Sequence, residues 1–139
     1  MQHRIVYVSR ATDGVAMRDC YDIIRTSHNR NSRLGLTGAL LYLDGWFIQV
    51  LEGWAGAVHT RYEAIRRDPR HTALELRLDS PVDSLMFPGD WMALRGDQDI
   101  GAEVRHAHGY LPGLPADRFS PAQVMAFVRD CCQARTEAA

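Results

Sequence analysis

Two apolar runs, Leu36-Thr37-Gly38-Ala39-Leu40-Leu41-Tyr42-Leu43 and Trp46-Phe47-Ile48-Gln49-Val50-Leu51, lie on either side of Asp44-Gly45. A two-residue hairpin loop needs positive φ at both central positions, which Asp and Gly tolerate, so this pair predicts two antiparallel strands in mid-chain. The flanking segments must pack around that hairpin. Upstream, Arg4 to Ser9 is short, β-branched and aromatic, and predicts a strand. From Val15 to His28 the apolar residues Val15, Met17, Cys20, Tyr21, Ile23 and Ile24 recur at three- and four-residue spacing. That spacing predicts an amphipathic helix, with Asp13 as its cap. Arg30 to Gly35 reads as a polar loop.

Downstream, Ala55 to Arg67 predicts a second helix with Val58, Tyr62 and Ile65 on one face. Asp68-Pro69 ends it, because a residue before proline avoids helical geometry. Ala73 to Leu78 alternates as a strand with Leu74, Leu76 and Leu78 on one side, and Trp91 to Leu94 reads as a short fifth strand. The order is β-α-β-β-α-β plus one strand. The expected fold is therefore α+β and ferredoxin-like, a mixed sheet with two helices on one face. The other face needs a cover, and the C-terminal residues fit it. Ile100 to His108 has helical character, and Pro121 to Arg135 carries Val124, Phe127, Val128 and Cys131 at helical spacing. Ser120 before Pro121 has the form of an N-cap followed by proline at the first helical position.

The 139 residues suit one domain with an appendage, and 46% hydrophobic with 24% charged residues is an ordinary globular balance. A net charge of −1 favours neither nucleic acid nor an anionic membrane, and no run approaches the ~18 apolar residues of a membrane span. The N-terminal residues pass straight into a strand-like run and read as no signal peptide. Cys20, Cys131 and Cys132 have no metal-type spacing, so no metal site is expected and a reduced, cytoplasmic setting follows. His3, His28, His59, His106 and His108 are scattered beside polar residues and read as surface positions.

Three polar side chains stand out. Tyr7 sits mid-strand between Val6 and Val8, and a buried phenol needs a hydrogen-bond partner. Gln49 interrupts an apolar strand, and an unpaired amide there costs on the order of 1–3 kcal/mol. If the first and third strands are neighbours, each can satisfy the other. Asn31 offers two donors and an acceptor, which suits the edge of a polar, planar ligand, although asparagine is also common in loops for turn reasons. Asp68, Arg70 and His71 form a polar cluster of the kind that is usually solvated.

These residues lie within longer strings: Arg33-Leu34-Gly35-Leu36-Thr37-Gly38-Ala39-Leu40-Leu41-Tyr42, then Gln49-Val50-Leu51-Glu52-Gly53, then Arg67-Asp68-Pro69-Arg70-His71, then Phe87-Pro88-Gly89-Asp90-Trp91. In that order they closely resemble the BLUF family of blue-light sensors that use FAD, over roughly the first two-thirds of the chain. The resemblance implies a flavin held between the two helices, with Tyr7, Ile24, Ser27, Asn31, Leu36, Gln49, Ile65, Asp68, Arg70 and His71 around it. It implies a photosensory protein, not a turnover enzyme, with Tyr7, Gln49, Met92 and Trp91 as the photoactive set. Tyr7 would give an electron and then a proton, and rotation or tautomerisation of the Gln49 amide would shift absorption to the red. The expected division is residues 1–98 as the flavin-binding photosensor and 99–139 as a helical cap and output segment. Forty residues are too few for an enzyme domain, so a separate effector protein or a change in self-association, including a homo-oligomer, is expected downstream.

Two departures from the family pattern stand out. A position often basic in relatives, which helps hold the FAD tail, is Ala64 here, so FMN stays open beside FAD. The family's Phe-x-x-Trp-x-Met ending has one extra residue, in Phe87-Pro88-Gly89-Asp90-Trp91-Met92. Because strand side chains alternate faces, Trp91 and Met92 cannot both face the flavin without a bulge, and Met92 is expected near the ring. Two rival readings stay in view. One is a light-insensitive interaction module derived from the family. The other is a ferredoxin-like small-molecule hydrolase, which would need an anion cradle pairing arginine with asparagine.

Overall fold

The structure is a computed structural model that describes residues 2–138; the side chains of residue 24, of 26–32 and of 134–138 are outside that description. A five-stranded sheet has the spatial order β4-β1-β3-β2-β5. Its strands are β1 (Gln2–Ala11), β2 (Thr37–Leu43), β3 (Trp46–Trp54), β4 (His71–Pro81) and β5 (Ala93–Gly96). The helices are α1 (Met17–Leu34), α2 (Ala55–Arg66), α3 (Ala102–Ala107) and α4 (Pro121–Ala138). β2 and β3 form the expected hairpin, with φ of 53° at Asp44 and 80° at Gly45. β1 pairs antiparallel with both β3 and β4, while β5 joins β2 in parallel. The sheet is therefore mixed, the fold is α+β and ferredoxin-like, and no helix among the described residues is long and apolar enough to cross a membrane.

Alternation along the strands sorts the core into two layers. Ile5 and Tyr7 of β1, Leu40 of β2, and Phe47 and Leu51 of β3 pack with Cys20, Val58 and Tyr62 from α1 and α2. Val6 and Val8, Ala39, Leu41 and Leu43, and Ile48 and Val50 point the other way, onto Leu114, Phe119, Val124, Phe127, Val128 and Cys131. Ser120 caps α4 as expected: its hydroxyl accepts the Gln123 N–H (3.2 Å) while Gln123 Oε1 accepts the Ser120 N–H (2.7 Å). Gly38 lies so close to β3 that a Cβ there would stand 1.9 Å from the Val50 carbonyl oxygen, which excludes every other residue.

Four expectations are corrected. The segment Arg30 to Leu34 is the end of α1, not a loop; a polar run can stay helical, and the stop is Gly35, whose φ of 70° turns the chain left-handed. Asp13 does not cap α1: Asp19 does, its carboxylate accepting the Ala16 N–H at 2.8 Å. Leu74, Leu76 and Leu78 do not share a face. The β1–β4 register shifts between Val6 and Tyr7, adding one β4 residue. That bulge turns Leu78 toward the α4 layer, leaves Leu74 on the α1/α2 side and exposes Leu76. Finally, the fifth strand begins at Ala93, two residues later than expected.

Candidate functional site

Tyr7 and Gln49 are directly opposed in the β1–β3 ladder, so their side chains rise together toward α1 and α2. Both are buried. The Tyr7 hydroxyl donates to Gln49 Oε1, and Gln49 Nε2 points at Met92 Sδ, 3.4 Å away. A phenol, an amide and a thioether thus form one line from β1 through β3 to the residue just before β5. The two ends of the amide are unequally served. Its oxygen has a strong O–H donor, while the partner given to its nitrogen is a thioether, a weak acceptor. Burial pushes the Tyr7 hydroxyl well above the ordinary phenol range; Arg61 works against that shift, and Asp68 and Tyr62 add to it.

Above this line lies a cavity of about 520 Å³, between α1 and α2 and open at one side. Ile23, Leu40, Phe47 and Ile65 make its apolar walls, and Tyr7 and Gln49 its polar floor. His71 fixes the β4 side. Its Nε2–H donates to the Ile65 carbonyl oxygen (2.7 Å), which leaves Nδ1 to accept from the Ser9 hydroxyl (2.7 Å). The ring then stands edge-on to Tyr7 and Phe47, at centroid distances of 6.0 and 6.1 Å. At the mouth, Asp68 and Arg70 form a two-pronged ion pair, with Arg70 Nε 2.9 and 3.1 Å from the two carboxylate oxygens. Hydrogen bonding to Arg70 holds the Asp68 carboxyl below its usual range. Arg61 and Arg67 also reach the wall, which makes the mouth cationic.

Of the residues singled out in the sequence, Tyr7, Gln49, Ile65, Asp68, Arg70 and His71 share this cavity, and Met92 lies behind Gln49. Leu36 is buried in the same layer but does not line the cavity wall. Trp91 is 43% exposed, whereas Met92 is buried. Ile24, Ser27 and Asn31 belong to α1, and their side chains lie outside the described part of the structure. His3 is buried, contrary to its reading as a surface position. Ile23, Leu40, Phe47, Arg61, Arg67 and Pro69 line the cavity without having been singled out. The apolar ones were legible as core positions, but a core position and a ligand wall have the same pattern in a sequence.

The residues present fit a flavin. The volume lies within the range of small-molecule sites, roughly 300–1,000 Å³. Apolar walls suit a tricyclic ring, and arginines at the mouth suit phosphate. The under-served Gln49 nitrogen suits a ring carbonyl.

Comparison with known proteins agrees with this geometry. Residues 2–93 match the family model for BLUF, "Sensors of blue-light using FAD". The chain is 39% identical over 96 residues to the photoactivated adenylate cyclase subunit beta of Euglena longa, and 38% identical over 96 residues to that of Euglena gracilis. In each case the match covers 69% of this chain, which spans about 11% of the relative's length. Among solved structures, the BLUF protein BlrB in its dark state superposes with a TM-score of 0.75 at 28% identity, covering 96% of both chains. A bacterial light-regulated adenylyl cyclase gives 0.73 at 29% identity, over 77% of this chain and 32% of that one. Photo-activated BlsA gives 0.82 over 95% of both chains, a likeness of fold alone at 20% identity. With a family model spanning most of the chain and the cavity geometry in accord with it, the protein belongs to the BLUF family, the sensors of blue light using FAD.

Proposed function

We propose that the chain is a blue-light photoreceptor module that holds FAD in the cavity between α1 and α2 and signals through β5 and the α4 layer to a separate partner. The observation that carries this reading is the buried Tyr7–Gln49–Met92 line at the floor of a flavin-sized cavity. A bound flavin supplies the blue absorption and an electron-accepting ring. Tyr7 keeps its proton at every physiological pH, because burial raises its hydroxyl above the ordinary phenol value, so it has both an electron and a proton to release. Gln49 has chemically distinct ends, and a half-turn of its amide would present N–H to the Tyr7 oxygen and C=O to Met92.

That turned state has a consequence for Met92. A thioether offers no donor to a carbonyl oxygen, so Met92 loses its present contact with Gln49 and the chain entering β5 at Ala93 loses a fixed point. Ala93 pairs with Ala39 of β2 and packs with the α4 layer, which gives a contiguous path from the floor of the cavity to the far face. Arg61, Arg67 and Arg70 would hold the phosphates, replacing the basic group absent at Ala64; three cations suit the diphosphate of FAD better than the single phosphate of FMN.

The test is an absorption spectrum of the purified protein in darkness and after blue illumination, for the native sequence and for Tyr7→Phe. The native protein should show a flavin band that moves to longer wavelength and recovers in the dark. Tyr7→Phe should hold the flavin without the shift. A normal shift in that variant would remove Tyr7 from the mechanism, and a colourless native protein that cannot be reconstituted would favour the interaction module.

A further inference from the structure

At the far end of the same sheet face, 4 residues before Tyr7, three side chains from three different elements converge: His3 of β1, His59 of α2 and Asp79 of β4. One ligand atom from each lies within 4.8 Å of the other two. Both imidazoles turn Nε2 toward the same oxygen, Asp79 Oδ1; His59 Nε2 is 3.0 Å from it and His3 Nε2 is in direct contact. The two rings face one another with centroids 4.6 Å apart.

The hydrogen-bond count at His59 makes this more than a crowded patch. Its Nδ1 lies 2.8 Å from the Ala55 carbonyl oxygen, which can only accept, so Nδ1 bears the hydrogen. Nε2 then faces a carboxylate oxygen, a second pure acceptor, at 3.0 Å. A neutral imidazole has one N–H and cannot serve both contacts, so with Nδ1 donating to Ala55 the Nε2 lone pair faces the carboxylate, an arrangement that a cation between the two would satisfy. An Nδ1–H anchored on a backbone carbonyl is also the usual outer support of a metal-bound histidine, because it fixes the tautomer and aims the Nε2 lone pair.

We propose that His3, His59 and Asp79 form a binding site for a divalent transition-metal ion of the zinc type, with water completing the coordination. Two imidazoles and one carboxylate suit zinc rather than Mg²⁺ or Ca²⁺, which prefer all-oxygen shells. Ligand atoms of a tetrahedral zinc stand about 3.3 Å apart, given bonds of about 2.0–2.1 Å. The His59–Asp79 contact at 3.0 Å is shorter than that, so the exposed His59 and Asp79 side chains would turn apart to admit the ion, while His3 is held in place by burial. The ion would staple α2 and the edge strand β4 to β1. The same α2 contributes Ala64 and Ile65 to the cavity wall one helix-half further on, so the staple would stiffen that wall. The site does not depend on the flavin reading.

The test is calorimetric titration of Zn²⁺ into the full-length protein, freed of any histidine tag, beside His59→Ala, Asp79→Asn and His106→Ala. Native protein and His106→Ala, whose changed side chain is exposed on α3, should bind one equivalent with the same affinity. His59→Ala and Asp79→Asn should each weaken it by at least about tenfold, since loss of even an outer-shell partner costs 10–100-fold. Mg²⁺ should give no heat. Zn²⁺ should also slow amide exchange in residues 55–60 and in β4. Equal affinity in all four proteins, or no binding by the native chain, would overturn the proposal. Because His59 is exposed, its replacement leaves folding intact and the comparison readable.

Discussion

The two faces of the sheet bury polar groups in opposite ways. On the α4 side, Glu52 is fully buried and fully served: its carboxylate accepts from Arg4 Nε at 2.7 Å, from Met86 N at 2.9 and 3.0 Å, and from Phe87 N at 2.9 Å. On the α1/α2 side, Gln49 is as buried, yet its nitrogen meets a thioether at 3.4 Å. A carboxylate with its lone pairs filled has one stable arrangement. An amide with a strong partner at one end and a weak one at the other is held firmly by one end only, which is the asymmetry the proposed switch would use. The first residue locks the loop before Met92 onto the sheet; the second leaves the face above it able to respond.

The sharpest way to break this contrast is Glu52→Ala. It leaves Arg4 and two backbone N–H groups without their acceptor, and should cost about 3–5 kcal/mol in a denaturant titration. The flavin band, if the protein still folds, should keep its dark position. Gln49→Ala should act in the reverse sense. Because Tyr7 alone loses a strong partner, the stability loss should be about 1 kcal/mol, while the light-induced shift disappears. Comparable losses in the two variants would mean that Gln49 is as rigidly bound as Glu52. The smallest effect belongs to the mouth of the cavity. Arg70 depresses the folded-state pKa of Asp68, so the stabilisation is present above the unfolded value of about 3.9 and is lost as pH falls through the folded one. Both side chains are partly exposed, which limits the pair to under about 1 kcal/mol. Arg70→Ala should therefore be slightly less stable than the native protein at pH 7, with the gap closing toward pH 2.

The order of elements along the chain, the hairpin and α2 could all be read from the sequence, because each rests on local periodicity or on turn chemistry that the residues state directly; the Tyr7–Gln49 pairing was legible only on the condition that β1 and β3 are neighbours, which they are. What escaped depended on the third dimension. The polar stretch ending in Leu34 looks like loop by composition, and the positive φ at Gly35 that ends the helix is a backbone fact. The bulge that separates Leu78 from Leu74 arises from pairing with β1, which β4 alone does not encode. His3, His59 and Asp79 lie 20 to 76 residues apart and each is unremarkable alone. Ile23, Arg61 and Arg67 line the cavity because α1 and α2 diverge there, and no spacing in either helix announces a gap between them.

The match to the family model stops at residue 93, but the packing does not. Leu114, Phe119, Val124, Phe127, Val128 and Cys131 cover the sheet on that side, so half of the buried residues of this layer belong to the segment beyond the matched region. Anyone wishing to graft this module onto a foreign enzyme inherits that debt. A cut after residue 98 would strip Val6, Val8, Leu41, Ile48 and Val50 of their cover and leave an adhesive surface, prone to aggregation. The transplantable unit extends through α4, or else the recipient must bring a helix of its own with an apolar stripe shaped to this sheet.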